Sequence, residues 1–140
     1  IATDTVAIVD RHLAQALLNG TKRVETRFYR RRRRVPMGEV SVGDVVHFKL
    51  SGGGLLCSTQ VSNVQYLNDL TPARLWRLWR RLRRWVAAPE SYWWRCRAAR
   101  YGVLIWFGRV TAPPAGLRVP RQYGNGWVVL GRGEHRRATN

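Results

Sequence analysis

Acidic residues are scarce in this chain. Eight Asp and Glu stand against 25 Lys and Arg in 140 residues, a formal net charge of +17 at pH 7. Surface charge therefore cannot be balanced within the molecule, and a polyanionic partner is expected. Cysteine is also sparse. Cys57 and Cys96 lie far apart without a C-x-x-C spacing, which excludes a disulfide scaffold, and two free thiols suit a reducing, intracellular compartment. His12, His47 and His135 show no metal-ligand spacing, so no metal and no cofactor is expected. No apolar run approaches the roughly 18 residues of a membrane span. The chain starts at Ile1 rather than Met, so upstream residues are expected to have been removed, a leader among the candidates.

What is present argues for a packed domain. A hydrophobic fraction of 45% with seven Trp is too apolar for disorder. A chain of this length buries roughly two-thirds of its unfolded surface and needs no covalent staple. Residues 1–130 are read as one domain and 131–140 as a flexible polar tail.

The charge is unevenly placed. All basic residues except Lys22 and Lys49 are arginine. Arg30, Arg31, Arg32, Arg33 and Arg34 form one unbroken block, and Arg74, Arg77, Arg80, Arg81, Arg83 and Arg84 a second, with no acid between Asp69 and Glu90. Arginine pairs bidentately with phosphate and stacks on bases, so RNA is the expected partner, with DNA second.

Hydrophobic periodicity places the elements. Residues 3–9 read as a strand, followed by Asp10 as an N-cap, a short helix with Leu13, Ala16 and Leu17 on one face, and Gly20 as its stop. Residues 24–29 and 45–50 read as strands; on the latter His47 and Lys49 share one face, opposite Val46, Phe48 and Leu50. The glycines at 52–54 join it to a strand over 55–64 as a hairpin. Thr71-Pro72 starts a basic amphipathic helix whose apolar face carries Leu75, Leu78, Trp79, Leu82 and Trp85, and which ends at Ala87-Ala88-Pro89. Ser91 is expected to cap a second helix running to Arg100, before strands at 103–107 and 126–130. Strands around two helical segments, without βαβ alternation, give an α+β fold with a mixed or antiparallel sheet. Trp76, Trp79, Trp93, Trp94, Trp106 and Trp127 are expected mostly in the core.

One segment carries the candidate chemistry. In Gly20-Thr21-Lys22-Arg23-Val24-Glu25-Thr26-Arg27, a helix-ending glycine leads into a strand on which Glu25 and Arg27 share a face, with Lys22 at its mouth. Glu25 would position the cations, and Lys22 or Arg27 would take a phosphate or carbonyl oxygen.

This G-x-K-x-x-E-x-R arrangement, with Gly20, Lys22, Glu25 and Arg27 at its named positions, resembles the signature of the ASCH (activating signal cointegrator homology) domain. The Gly43-Asp44 turn, the VVHFK strand, the Gly-rich hairpin, the Thr71-Pro72 helix start and the closing GWVVL are similar to its order of elements. The resemblance spans roughly residues 5–130. It implies a PUA-like fold, a small mixed β-barrel with short helices beside it, and a function in RNA binding at a cleft near this segment. Some members are ribonucleases, and one bacterial branch is an amidohydrolase of acetylated cytidine. That branch uses a Lys and a Thr of the motif plus a distant Glu. Lys22 matches the Lys, but Glu25 holds the Thr position, Thr26 should face away, and residues 71–88 hold no acid, so this activity is disfavoured.

The expected function is therefore nucleic-acid binding. Lys22, Arg27 and Lys49 would line the cleft, and Arg30 to Arg34 with Arg77, Arg80, Arg81 and Arg84 would follow the backbone. The alternatives are a ribonuclease, with Lys22, Glu25 and Arg27 catalytic, Glu25 as general base and His47 as the nearby acid, or a structural part of a large ribonucleoprotein. Membrane-surface docking by the basic helix is disfavoured against these.

Overall fold

The structure, a computed structural model, describes residues 2–32, 38–119 and 126–130. Six strands form one mixed sheet in the order β2-β5-β4-β3-β1-β6. They are β1 (Asp4–Val9), β2 (Val24–Tyr29), β3 (Val45–Leu50), β4 (Leu55–Leu67), β5 (Tyr101–Phe107) and β6 (Trp127–Leu130). The helices are α1 (Ala14–Leu18), α2 (Pro72–Val86) and α3 (Glu90–Arg95). β1 and β3 run parallel and every other neighbouring pair antiparallel. This is the expected α+β class with a mixed sheet. The expected polar tail at 131–140 and the arginines at 33 and 34 lie outside the described residues.

The sheet curls because of β4. Its first half pairs with β3 and its second half with β5, and the register shifts between Val61 and Asn63 where one ladder gives way to the other. A bulge there bends the strand and sharpens its twist. Two half-sheets therefore face each other across a core that includes Ala7, Val9, Phe48, Val61, Val103, Ile105, Phe107 and Trp127. No ladder joins the edge strands β2 and β6 among the described residues, so the barrel is not closed by backbone pairing.

The side chains of β5 alternate as a buried strand requires. Val103, Ile105 and Phe107 enter the inner core, while Leu104 faces a second cluster with Val24 of β2, Leu75, Leu82 and Val86 of α2, and Trp93 of α3. The two longer helices thus lie on the outside of the β2–β5 half-sheet. α2 begins as its sequence indicates, with the Thr71 hydroxyl accepting from the Arg74 amide at 3.2 Å and Pro72 in the first turn.

Several expectations need correction. Asp10 makes no side-chain cap bond; the helical segment opens with a tight turn over Arg11–Leu13, whose Leu13 amide donates to the Asp10 carbonyl. β4 runs three residues further than expected, because its second half has its own partner in β5. α3 starts at Glu90 with Pro89 as its N-cap and stops at Arg95, ahead of the expected Arg100. Trp93 and Trp127 are buried, but Trp76, Trp85 and Trp94 are exposed. No helix among the described residues is long and apolar enough to cross a membrane.

α2 ends at Ala87, which takes the left-handed conformation at φ 60°. A side chain there costs about 1 kcal/mol relative to glycine. Ala87→Gly is expected to raise stability by about 0.5–1 kcal/mol, read as a higher urea midpoint at unchanged slope. An unaltered or lower midpoint would contradict the strain at this cap.

Candidate functional site: a buried ion chain beneath a polar cleft

The site is built from the turn that follows α1. Gly20 takes φ +81°, a conformation that other residues adopt only with strain. Asn19 fixes the turn, its side-chain oxygen accepting from the Thr21 amide and hydroxyl at 2.9 and 2.6 Å. The turn delivers Lys22 into the interior, where it is 1% exposed. Its ammonium donates to the Val24 carbonyl at 2.8 Å, to the Val86 carbonyl at 2.7 Å and to Glu25 Oε1 at 3.2 Å. An ammonium has three donors, and all three are engaged.

Val86 ends α2, so its carbonyl is one of those a helix cannot satisfy internally. The Arg23 amide takes the neighbouring Trp85 carbonyl at 2.7 Å. Residues 22 and 23 therefore cap α2, with the ammonium against the negative end of its dipole. Lys22 does not stand at the strand mouth, as expected; it lies beneath it.

Period-2 alternation on β2 sends Val24 to the helices and Glu25 and Arg27 to the other face. Arg27 Nη2 donates to Glu25 Oε2 at 2.7 Å and to the Ile8 carbonyl of β1 at 2.9 Å, and Nη1 donates to the Gly126 carbonyl at 3.2 Å. Its guanidinium lies 5.3 Å from the centre of the Trp127 ring. Arg27 thus bridges from edge strand β2 to β1 and the entry of β6, across the seam that no ladder closes. Gly126 leaves the space it needs: a Cβ there would sit 2.6 Å from Arg27 Nη1.

The three charges define the electrostatics. Burial depresses the Lys22 ammonium below its ordinary value, with the Glu25 carboxylate offsetting part of that effect. Burial works to raise the Glu25 carboxyl, but the charges of Lys22 and Arg27 and their hydrogen bonds outweigh it and hold the group below the usual carboxylate range. Burial likewise opposes the charge on Arg27, yet Glu25 keeps it above the ordinary guanidinium value. A general base works best with a pKa near the operating pH. Glu25, anionic and paired on both oxygens, is arranged as a counterion.

Above this chain lies a cleft of about 260 Å³. Lys22, Glu25 and Arg27 contribute to its floor, while Val9, Leu13, Val86 and Pro89 give it apolar wall, and Asp10, His12 and Arg95 are exposed at its edge. Tyr92 of α3 also lines it, bonding the Thr26 hydroxyl at 2.8 Å and the Thr26 carbonyl at 3.1 Å. The burial of Tyr92 raises its phenol well above the ordinary tyrosine value. Thr26 was expected to face away; its hydroxyl is engaged with Tyr92, outside the ion chain, although the cleft extends far enough to touch it.

The structure brings together Lys22, Glu25 and Arg27 but not Lys49, which is half-buried on β3, donates to the Leu50 carbonyl at 3.2 Å and does not line this cleft. His47 is 1% exposed and bonds Ser58 Oγ at 2.6 Å and Asp4 Oδ1 at 2.9 Å. It too is absent from the cleft lining, so it does not serve there as the expected acid. Asp10, His12, Tyr92 and Arg95 are not among the cleft residues expected from sequence. Only the fold places them beside residues 22–27, and no local spacing signals it.

The arginines form a separate surface. Arg74, Arg77, Arg80, Arg81, Arg83 and Arg84 are all exposed on α2, and Arg30, Arg31 and Arg32 are exposed beyond β2. A groove of about 500 Å³ runs between α2 and the end of β4, lined by Gln65, Asn68, Arg74, Arg77 and Arg81 among others. Arg32 Nη1 reaches Asn68 Oδ1 at 3.3 Å. The described part of the first arginine block therefore adjoins the second across this groove.

The described residues thus form a curled mixed sheet with two helices on one half-sheet and a cleft at the G-x-K-x-x-E-x-R turn. No protein-family model matches the sequence, and no curated protein matches it. Solved structures do. The ASCH protein of Zymomonas mobilis superposes with a TM-score of 0.69 at 15% identity over 96% of this chain and 92% of that one. Two mutants of the same protein give TM-scores of 0.69 and 0.70 at 14% identity, again over 96% of this chain. The fold is that of an ASCH domain, as the sequence resemblance implied.

Glu25→Gln keeps the shape but leaves two buried cations without their carboxylate, which is expected to cost about 3–5 kcal/mol in urea unfolding at pH 7. An effect below about 1 kcal/mol would contradict the ion chain. The pH dependence follows from the depressed carboxyl. Its stabilisation is fully present above the ordinary carboxylate value of about 4.3 and is lost as pH falls through the lower folded value. Glu25→Gln should therefore flatten the acid limb of the stability curve, and a limb of unchanged steepness would assign it to other groups.

Proposed function

We propose that this chain binds RNA, using the cleft above residues 22–27 for selectivity and the arginine surface for affinity, with DNA as a weaker partner. The observation that carries this reading is the acid-free face of α2. Arg74, Arg77, Arg80, Arg81 and Arg84 are exposed on one helix whose nearest acids in sequence are Asp69 and Glu90. Like charges this dense repel one another unless a polyanion neutralises them. The adjoining groove and Arg30, Arg31 and Arg32 extend the same positive track. PUA-like domains are often RNA-binding, which agrees with this reading.

Within the cleft, Arg27 and the edge residues His12 and Arg95 would meet the nucleotide. Lys22 and Glu25 would hold that geometry from below. Binding is favoured over cleavage because Glu25 is held as a counterion and His47 lies elsewhere. The free thiols suit a reducing compartment: Cys57 is buried, and burial pushes it up to about 11.

Filter binding to RNA across salt concentrations tests the proposal. Affinity should fall steeply with salt, and replacing Arg77 or Arg81 by Ala should each reduce the log–log slope by about 0.7 for a single strand. Affinity indifferent to salt would refute the phosphate contacts.

A further inference from the structure

Three of the exposed large hydrophobic residues are tryptophans, and two of these border one small cavity. Between the start of α2 and α3 lies an apolar slot of about 160 Å³, lined by Leu75, Trp76, Trp93, Trp94, Glu90 and Arg97 among others. Trp76 is 49% exposed and Trp94 65%. Each of these indoles is braced. Trp76 stacks on Trp79 with centroids 4.6 Å apart and planes 23° from parallel, and the Arg97 guanidinium lies 4.1 Å from the Trp94 ring centre while donating to the Trp94 carbonyl at 2.9 Å. Such bracing costs side-chain entropy before any ligand arrives, which lowers the cost of stacking a flat group on them.

We infer that this slot is a stacking site for an unpaired nucleobase, so that the domain recognises a single-stranded segment. The inference rests on the nucleic-acid reading above and specifies the form of ligand. Size supports it: the slot is well below the roughly 300–1,000 Å³ of pockets for drug-sized ligands, which leaves room for one planar ring system. Charge supports it as well. Glu90 puts a carboxylate at the slot, which repels phosphate and accepts from the N–H edge of a base. Outside it, Arg80 and Arg83 follow Trp76 at helical spacings of four and seven residues, and both are exposed on the same flank. The base enters, and the phosphates continue along the arginines.

A membrane surface fits this arrangement poorly. Trp76 and Trp85 are nine residues apart on α2, so at 3.6 residues per turn they point about 180° from each other. Arg77, Arg80, Arg81 and Arg84 occupy the exposed face between them. An interfacial helix needs its apolar side chains on one side.

The test uses the intact protein with labelled oligocytidine, a fully paired RNA duplex and anionic phosphatidylserine vesicles. Trp76→Ala and Trp94→Ala should each weaken oligocytidine binding by about 5- to 150-fold, with the salt slope and the duplex affinity unchanged. Trp94→Phe should recover most of the loss. Wild-type affinity for oligocytidine in both Ala variants, or an equal loss for duplex, would overturn the slot while leaving the proposed function intact. Loss of vesicle binding in these variants without loss of oligocytidine binding would assign the slot to membranes and overturn it too. A wild-type protein that bound neither nucleic acid would overturn both readings. Because both side chains are substantially exposed, a cooperative urea transition should be retained in each variant.

Discussion

Three linked charges, Lys22 and Glu25 buried and Arg27 largely so, hold the parts of a small domain in register. Lys22, Glu25 and Arg27 form a continuous chain of contacts, and each tethers a different element. Lys22 caps the C-terminus of α2, Glu25 joins both cations on β2, and Arg27 crosses to β1 and the entry of β6. Burying any one alone would be prohibitive, because an unpaired ion in a low-dielectric interior costs several kcal/mol. Together with the carbonyls of Ile8, Val24, Val86 and Gly126, they are satisfied. The constraint is mutual: the cations require the carboxylate, and Arg27 bonds across the seam where, among the described residues, β2 and β6 share no ladder.

That arrangement divides the positive charge by function. Cations of the motif are engaged in holding the fold, and only Arg27 retains partial exposure toward the cleft. The arginines of α2 and Arg30, Arg31 and Arg32 are exposed and lie outside this ion chain. In the proposed function, charge on the surface would give affinity and salt dependence, whereas the cleft and the Trp76–Trp94 slot would read the shape of a ligand. Helix α2 connects all three, since its C-terminus abuts the cleft, its outer face carries the arginines and its first turns form one wall of the slot.

Much of this was legible in the sequence, and the failures have physical causes. Strand and helix positions followed from local periodicity, and Gly20 to Arg27 was recognised as the distinctive segment. Its depth was not. Alternation along β2 places Glu25 and Arg27 on one face, but whether that face meets water depends on β1, β6 and α2, which are distant in sequence. Hence the sequence places Lys22 at a strand mouth, and the structure buries it as a cap of α2. The same limit applies to Lys49, which shares a face with His47 yet belongs to a strand that does not border the cleft. For Trp76 and Trp85 the error was of another kind. Both lie on the flanks of the apolar face of α2, where helical spacing cannot say how far a neighbouring element reaches. The doubled pairing of β4 depends on partners on either side and leaves no local trace beyond its apolar content.

The motif works as an interlocked ion chain beneath the cleft. A double-mutant cycle in urea unfolding with Lys22→Met and Glu25→Gln tests this most directly. Non-additivity of about 2 kcal/mol or more between the two sites is expected, since each group is costly to bury without the other. Single losses that add to within about 0.5 kcal/mol would mean that the two charges are independent, and the chain would not be what holds the fold.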